Sequence, residues 1–257
     1  MDKLGYEVGK LLHHLEPLAL DGHEIEGFAL SNYMFFLLIA LFLTFLFFAF
    51  AARRVSMVPK GIGNLGETAV EFVRNSIVVD VMGRDGIKYL PFIVTIFFFV
   101  LFNNLLGLIP SGLPGTGTMG TTATWGVLVF IVYNWIGFQK NGFKVYMKSF
   151  LPTGTPWWLV WLIYPLELIS HFLRPFTLAV RLYANMYAGH IVLGVFVIFI
   201  KIVLNDINAG SVVVGFLSFV MLIIMYAFEV FVAFIQAYVF TILTSVYISG
   251  ALHAKDH

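Results

Sequence analysis

Cysteine is absent from all 257 residues, which excludes disulfides, thiolate metal sites and a cysteine nucleophile. Charge is also scarce: Lys, Arg, Asp and Glu make up 11% of the chain and the formal net charge is +1. That is too little positive charge for the phosphate contacts of a nucleic-acid binder. No phosphate-binding loop of the Walker type occurs, so the chain carries no ATP site of that kind. The literal G-x-G-x-x-G match, Gly115-Thr-Gly-Thr-Met-Gly120, has no strand pattern before it and reads as a loop. An internal repeat of the kind found in many secondary transporters is missing as well.

Apolar residues fill the space instead. They form 60% of the chain, including 28 Phe that supply packing and lipid-facing surface. This composition belongs to an all-α integral membrane protein rather than a water-soluble domain. The first strongly apolar run begins near Tyr33, after a polar segment with Glu7, Glu16, Asp21, Glu24 and Glu26. A cleaved signal peptide would place it earlier, so residues 33–52 are expected to be an uncleaved first span. Arg53, Arg54 and Lys60 follow it and put that end in the cytoplasm, with residues 1–32 outside. His13 and His14 in the external segment read as solvated residues.

Residues 61–84 mix apolar positions with Asn64, Glu67, Glu71, Arg74 and Asp80, the pattern of an amphipathic surface helix. Residues 91–138 are expected to form a transmembrane hairpin, with a Gly-rich outer connection over Ser111–Gly120. It returns to Lys140, Lys144 and Lys148, a second basic cluster on the cytoplasmic side.

The region 157–252 behaves differently. Leu166–Leu204 and Val212–Gly250 are each 39 residues with brief polar interruptions. As helices they would be ~58 Å long, about twice the hydrocarbon thickness. Either they fold back at a glycine such as Gly189 or Gly215, or each is one steeply tilted helix, which is the preferred reading. Asn205-Asp-Ile-Asn-Ala-Gly210 supplies the turn between them, with the bend outside. Pro165 suits a helix start, and Pro175 suits a kink.

Polar residues sort by helical phase. Glu167, Ser170, Arg174, Arg181 and Asn185 follow steps of three, four, seven and four, and so form one stripe. His190, nine residues beyond Arg181, projects from nearly the opposite side. Glu229 and Gln236, a heptad apart, share a face of the second helix, and antiparallel packing would let His190 face Glu229. An arginine at a helix centre costs about 2.5–3.5 kcal/mol on insertion scales and cannot escape by losing its proton. That cost implies that Arg181 has a functional role.

Three blocks resemble subunit a of F-type ATP synthases. They are Asn104-Leu-Leu-Gly-Leu-Ile-Pro110, Thr177-Leu-Ala-Val-Arg-Leu-Tyr-Ala-Asn-Met186 and Gln236-Ala-Tyr-Val-Phe-Thr-Ile-Leu. They occur in family order, and the likeness runs from about Phe28 to Leu252. Ala-Gly-His190 paired with Glu229 is similar to mitochondrial and alphaproteobacterial members.

The resemblance implies a non-catalytic stator subunit whose long hairpin faces a c-ring of small hairpin proteins. Other partners would be peripheral-stalk b subunits and the rest of the synthase. No cofactor is implied; the carried ion would be H+, with Na+ as the alternative. By the same resemblance Arg181 separates two aqueous half-channels. Asn185, His190, Glu229 and Gln236 line the outer one, and Glu167 and Ser170 lie toward the inner one. Gly107 departs from relatives that carry an acid there. The implied location is a bacterial plasma membrane, with the mitochondrial inner membrane second, and the C-terminus cytoplasmic.

Plainer readings stand beside these. Arg181 could be held by helix-end carbonyls, His190 and Glu229 could be a structural buried pair, and Gln236 could be interhelical glue. Glu167 and Arg174 could be an ordinary interfacial ion pair. The alternative function is a stand-alone proton-coupled transporter.

The cysteine-free background gives a clean topology test. An impermeant thiol reagent applied to right-side-out vesicles should label Asn208→Cys and spare Lys144→Cys. The reverse labelling would invert the assignment of sides.

Overall fold

A backbone that cannot hydrogen-bond to lipid must satisfy itself, and helices do so within one segment. The computed structural model describes residues 5–10, 32–53, 62–109, 112, 114–151, 156–205 and 209–254, and among these it is helical with no strand. His13, His14, Arg54, Lys60 and the turn at 206–208 lie outside the described residues.

The main helices are α1 (Asn32–Arg53), α2 (Ile62–Val73), α3 (Leu90–Gly107), α4 (Met119–Asn141), α5 (Phe143–Lys148), α6 (Trp157–Asn205) and α7 (Ala209–Leu252). Among the described residues five helical stretches are long and apolar enough to cross a membrane: Asn32–Ala51, Gly66–Gly107, Met119–Asn141, Trp157–Leu204 and Val212–Leu252.

The amphipathic segment is not a free-standing helix over 61–84. α2 runs into a π-helical turn at Arg74–Val79, one helical turn at Asp80–Met82 and a 3-10 stretch at Gly83–Tyr89 before α3. Gly83 permits the change of direction with φ 65°. Ile77, Val78 and Met82 are buried while Arg74 and Asp80 face outward, which fixes this stretch against α3 and α7. Pro91 sits in the first turn of α3, where its missing N–H costs no helical bond. Phe47, Phe97, Phe98 and Phe102 interlock α1 with α3, with Phe47 and Phe98 centroids 4.5 Å apart.

α6 and α7 are continuous through Gly189, Gly194 and Gly215, so neither folds back at a glycine. At ~1.5 Å per residue they would reach about 74 and 66 Å. Pro165 lies within α6, whose first turn begins at Trp157, rather than at its start.

Pro175 also lies inside α6 and leaves the carbonyl of His171 without its helical donor. Tyr133 of α4 supplies the missing bond, its hydroxyl donating to that oxygen at 3.4 Å. The helices approach closely just there because position 126 has no side chain: a Cβ would stand 2.6 Å from the Pro175 carbonyl oxygen. Asn141 donates to the carbonyl of Ala251 at 2.8 Å, capping an orphan acceptor in the last turn of α7. Thr241, Thr244 and Ser245, all buried, return their hydroxyls to carbonyls one turn back in α7.

Gly126→Ala should therefore push α4 away from α6 at Pro175, at a cost of about 1–3 kcal/mol for overpacking. A lowered thermal unfolding midpoint of the detergent-solubilised protein would register it, whereas Gly120→Ala, whose Cβ meets nothing, should leave the midpoint in place.

Candidate functional site

The register of the long hairpin orders the polar residues. A Cβ at Gly215 would stand 2.7 Å from Val203, and one at Gly189 would overlap the Glu229 carboxyl. Both pairs are symmetric about position 209, so α6 and α7 pack antiparallel without slippage. The same register sets Asn185 level with Ala233 and Arg181 level with Ala237, beside Gln236.

Glu229 and Gln236 are both buried to 6% exposure. The Glu229 carboxyl lies in the notch left by Gly189, next to His190. His190 Nε2 is buried without a hydrogen-bond partner among the described residues. From α3, Asn104 Nδ2 donates to the Ala233 carbonyl at 3.5 Å, between Glu229 and Gln236. Asn104 Oδ1 accepts from Thr116 at 3.1 Å, and Asn103 Oδ1 from the Gly115 N–H at 2.9 Å, leaving Asn103 Nδ2 without a partner among the described residues. The Gly115–Gly120 stretch is thus a 3-10 turn tied to α3, followed by the start of α4. Gly107 is packed against Pro114, 2.7 Å from where a Cβ would stand, so a side chain there would require the loop to move.

Arg181 is exposed and Asn185 partly so. Leu178, Ala179, Leu182 and Met186 bury the other side of this stretch of α6. Among the described residues no carboxylate lies within ion-pair distance of Arg181. The guanidinium therefore points away from the chain's own core.

A second polar group lies beyond Arg181 along α6. Arg174 Nη2 approaches Glu167 Oε1 at 3.5 Å, and Arg174 Cζ stands 5.5 Å from the centroid of the Tyr247 ring. Ser170, on the stripe, is exposed. A cavity of about 360 Å3 is lined here by Tyr133, Tyr146, Glu167, His171, Arg174 and Tyr247, among others. Burial pushes the Tyr146 hydroxyl up to about 12, with Arg174 opposing, so it stays protonated at neutral pH and donates to Asn134 Oδ1 at 3.2 Å. Between the two groups the buried side of α6 carries only Leu178, Ala179 and Leu182.

Sequence reasoning did not single out Asn103, Thr116, Tyr133, Asn134 or His171. The signal available for His171 was its place four residues before Pro175, where a freed carbonyl needs a partner.

The family model described as ATP synthase A chain matches residues 33–249. The chain belongs to this family. It is 37% identical over 250 residues to ATP synthase subunit a of Pseudarthrobacter chlorophenolicus, covering 94% of this chain and 91% of that one. It is 39% identical over 232 residues to the subunit of Acidiphilium cryptum, covering 90% of each. With that of Rhodococcus erythropolis it shares 40% over 234 residues, 90% of this chain and 85% of the other. As a member of the ATP synthase A chain family with several membrane-capable helices, it is a multi-pass membrane protein and a subunit of that complex. Nothing in these matches supports the stand-alone transporter.

Gly189→Ala should displace the Glu229 carboxyl while leaving the complex assembled, because only the tip of one flexible side chain has to move. ATP-driven acidification of inverted vesicles should fall several-fold, and adding Glu229→Asp, which withdraws the carboxyl, should recover part of it.

Proposed function

We propose that this chain is the non-catalytic, proton-translocating stator subunit of an F-type ATP synthase, offering two offset aqueous half-channels to a c-ring. The observation that carries the reading is the outward-facing Arg181 on an apolar helix surface, without a carboxylate partner among the described residues. A guanidinium left against lipid is costly, and a carboxylate on an apposed ring would remove that cost.

The physical chemistry follows from the ring's side. A carboxylate crosses lipid only when protonated and exchanges its proton only when ionised. Arg181 favours the ionised form as each carboxylate arrives, and its permanent charge blocks protons from passing straight between the channels. Asn185, His190, Glu229 and Gln236 serve the outer half-channel, which opens toward the end where α6 gives way to α7. His190 and Glu229 carry or relay protons there, and Asn104 holds the α3 side of the path. Glu167 and Ser170 serve the inner half-channel, at the end that bears Lys140, Lys144 and Lys148. The buried apolar side chains of Leu178, Ala179 and Leu182 support the separation of the two.

The basic residues put the inner end in the cytoplasm and the N-terminus outside. Exposed Trp157, Trp158 and Trp161 suit a membrane interface at the start of α6. Partners in this reading are the c-ring and the b subunits of the peripheral stalk. The translocated ion is H+, no cofactor is used, and the location is a bacterial cell membrane, in keeping with the bacterial relatives.

Arg181→Ala should abolish ATP-driven proton pumping in inverted vesicles while the complex still co-isolates with the ring. Arg181→Lys should also be badly impaired, since an ammonium lacks the planar fork and can lose its proton. Near-normal pumping by the alanine variant would overturn the reading.

A further inference from the structure

Two arginines stand on one side of α6. Arg174 and Arg181 are seven residues apart, about 10.5 Å of helix rise, and point within roughly 20° of the same direction. Their surroundings differ. Arg181 is exposed and has no carboxylate within ion-pair distance among the described residues. Arg174 is only partly exposed and is held from two directions. Glu167, two turns earlier on the same helix, sets Oε1 3.5 Å from its Nη2. Tyr247 of α7 places its ring centroid 5.5 Å from Arg174 Cζ, within the range of cation–π attraction.

Both contacts turn the second guanidinium aside. A helical side chain leans toward the N-terminus of its own helix, and Glu167 lies on that side, so Arg174 is drawn away from Arg181. The wall of the 360 Å3 cavity includes Glu167, Arg174 and Tyr247, and Glu167 is the carboxylate on it. The side chains of Arg174 and Glu167 are 34% and 39% exposed, so the pair sits at the surface and not in the packed interior.

We infer that Glu167 and Tyr247 are positioning residues that keep Arg174 occupied, so that the stator offers a single free guanidinium, Arg181, to each ionised ring carboxylate. A second free cation one heptad from the first would be a second resting place for the same carboxylate. Having lost its proton to the inner water, the carboxylate would be held there by charge attraction, short of Arg181. With Arg174 already paired to Glu167, opposite charges cancel at that level and the carboxylate moves on. No proton passes through Glu167, Arg174 or Tyr247 in this step. The inference rests on the half-channel reading above and deepens it, making Glu167 a counter-ion of the inner half-channel instead of a proton carrier.

The test uses the complete ATP synthase in inverted vesicles. The initial rate of ATP-driven acidification is measured for Glu167→Gln, Arg174→Gln, the two together, Tyr247→Phe and Tyr247→Leu. Each rate is expressed per amount of chain that co-isolates with the ring, which separates turnover from assembly. Glu167→Ala is the second replacement at 167, and Arg181→Ala is the control for the underlying reading.

The expected result is a several-fold loss in Glu167→Gln that is largely regained when Arg174→Gln is added, because the double variant has no second cation to occupy. Arg174→Gln alone should lose less than Glu167→Gln. Tyr247→Leu should lose rate, while Tyr247→Phe, which keeps an aromatic face for the guanidinium, should retain it. A double variant as slow as Glu167→Gln overturns the proposal and gives Glu167 the proton-carrying role. So does a wild-type rate in Glu167→Gln, or a loss in Tyr247→Phe as large as in Tyr247→Leu. A deficit that vanishes when expressed per assembled complex, or failure of both Glu167 replacements to assemble, assigns the pair to packing and overturns it as well. Normal pumping by Arg181→Ala would instead overturn the half-channel reading itself, so the two failures are distinguishable.

Discussion

Hydrocarbon offers no hydrogen-bond partner, and the architecture answers that constraint at every level. It explains why the described chain is helical, and why hydroxyls on the buried side of α7 turn back onto their own helix. It also explains the junction at Pro175. A proline inside a membrane helix frees a carbonyl, the carbonyl recruits Tyr133, and the approach of α4 needed for that bond requires glycine at 126. The same junction brings Asn134 against His171 and bounds the polar cavity. One missing N–H thus helps to organise the contact between two helices.

Charge placement follows the same logic in reverse. Where the protein could have buried or paired Arg181, the steps along α6 put Leu178, Leu182 and Met186 inside and leave the guanidinium outside. On the proposed reading its partner is a carboxylate of the apposed ring, which would distinguish a membrane subunit that faces a moving neighbour from one closed on itself. Polar side chains then gather on both sides of that level, Glu229 and Asn104 toward the bend and His171 and Glu167 toward the other end.

Helical phase made much of this readable from the chain alone. The 3, 4, 7, 4 spacing of Glu167 to Asn185 gives the stripe without coordinates, and apolar runs of 39 residues announce the long hairpin. Phase says nothing of partners on other helices. His171 sits 37 positions from Asn134, and Asn104 lies 129 from Ala233, so neither contact leaves a periodic trace. Pro165 misled for a related reason: proline stops a helix in water, but within a long apolar helix its lost bond can be absorbed, and α6 begins a full two turns earlier. The π-helical turn at Arg74–Val79 is likewise invisible to a 3.6-residue template, because it changes the phase partway through.

The notch at Gly189 carries a consequence for how such a chain can diverge. A methyl group at 189 and a glutamate at 229 compete for one volume, so the two positions do not drift independently. Alanine at 189 arriving first meets an occupied site and is purged. Arriving after 229 has shortened to aspartate, it fills a vacancy. The order of the two changes, more than their identity, decides which lineages can leave glycine behind, and each step makes the reverse of the other harder.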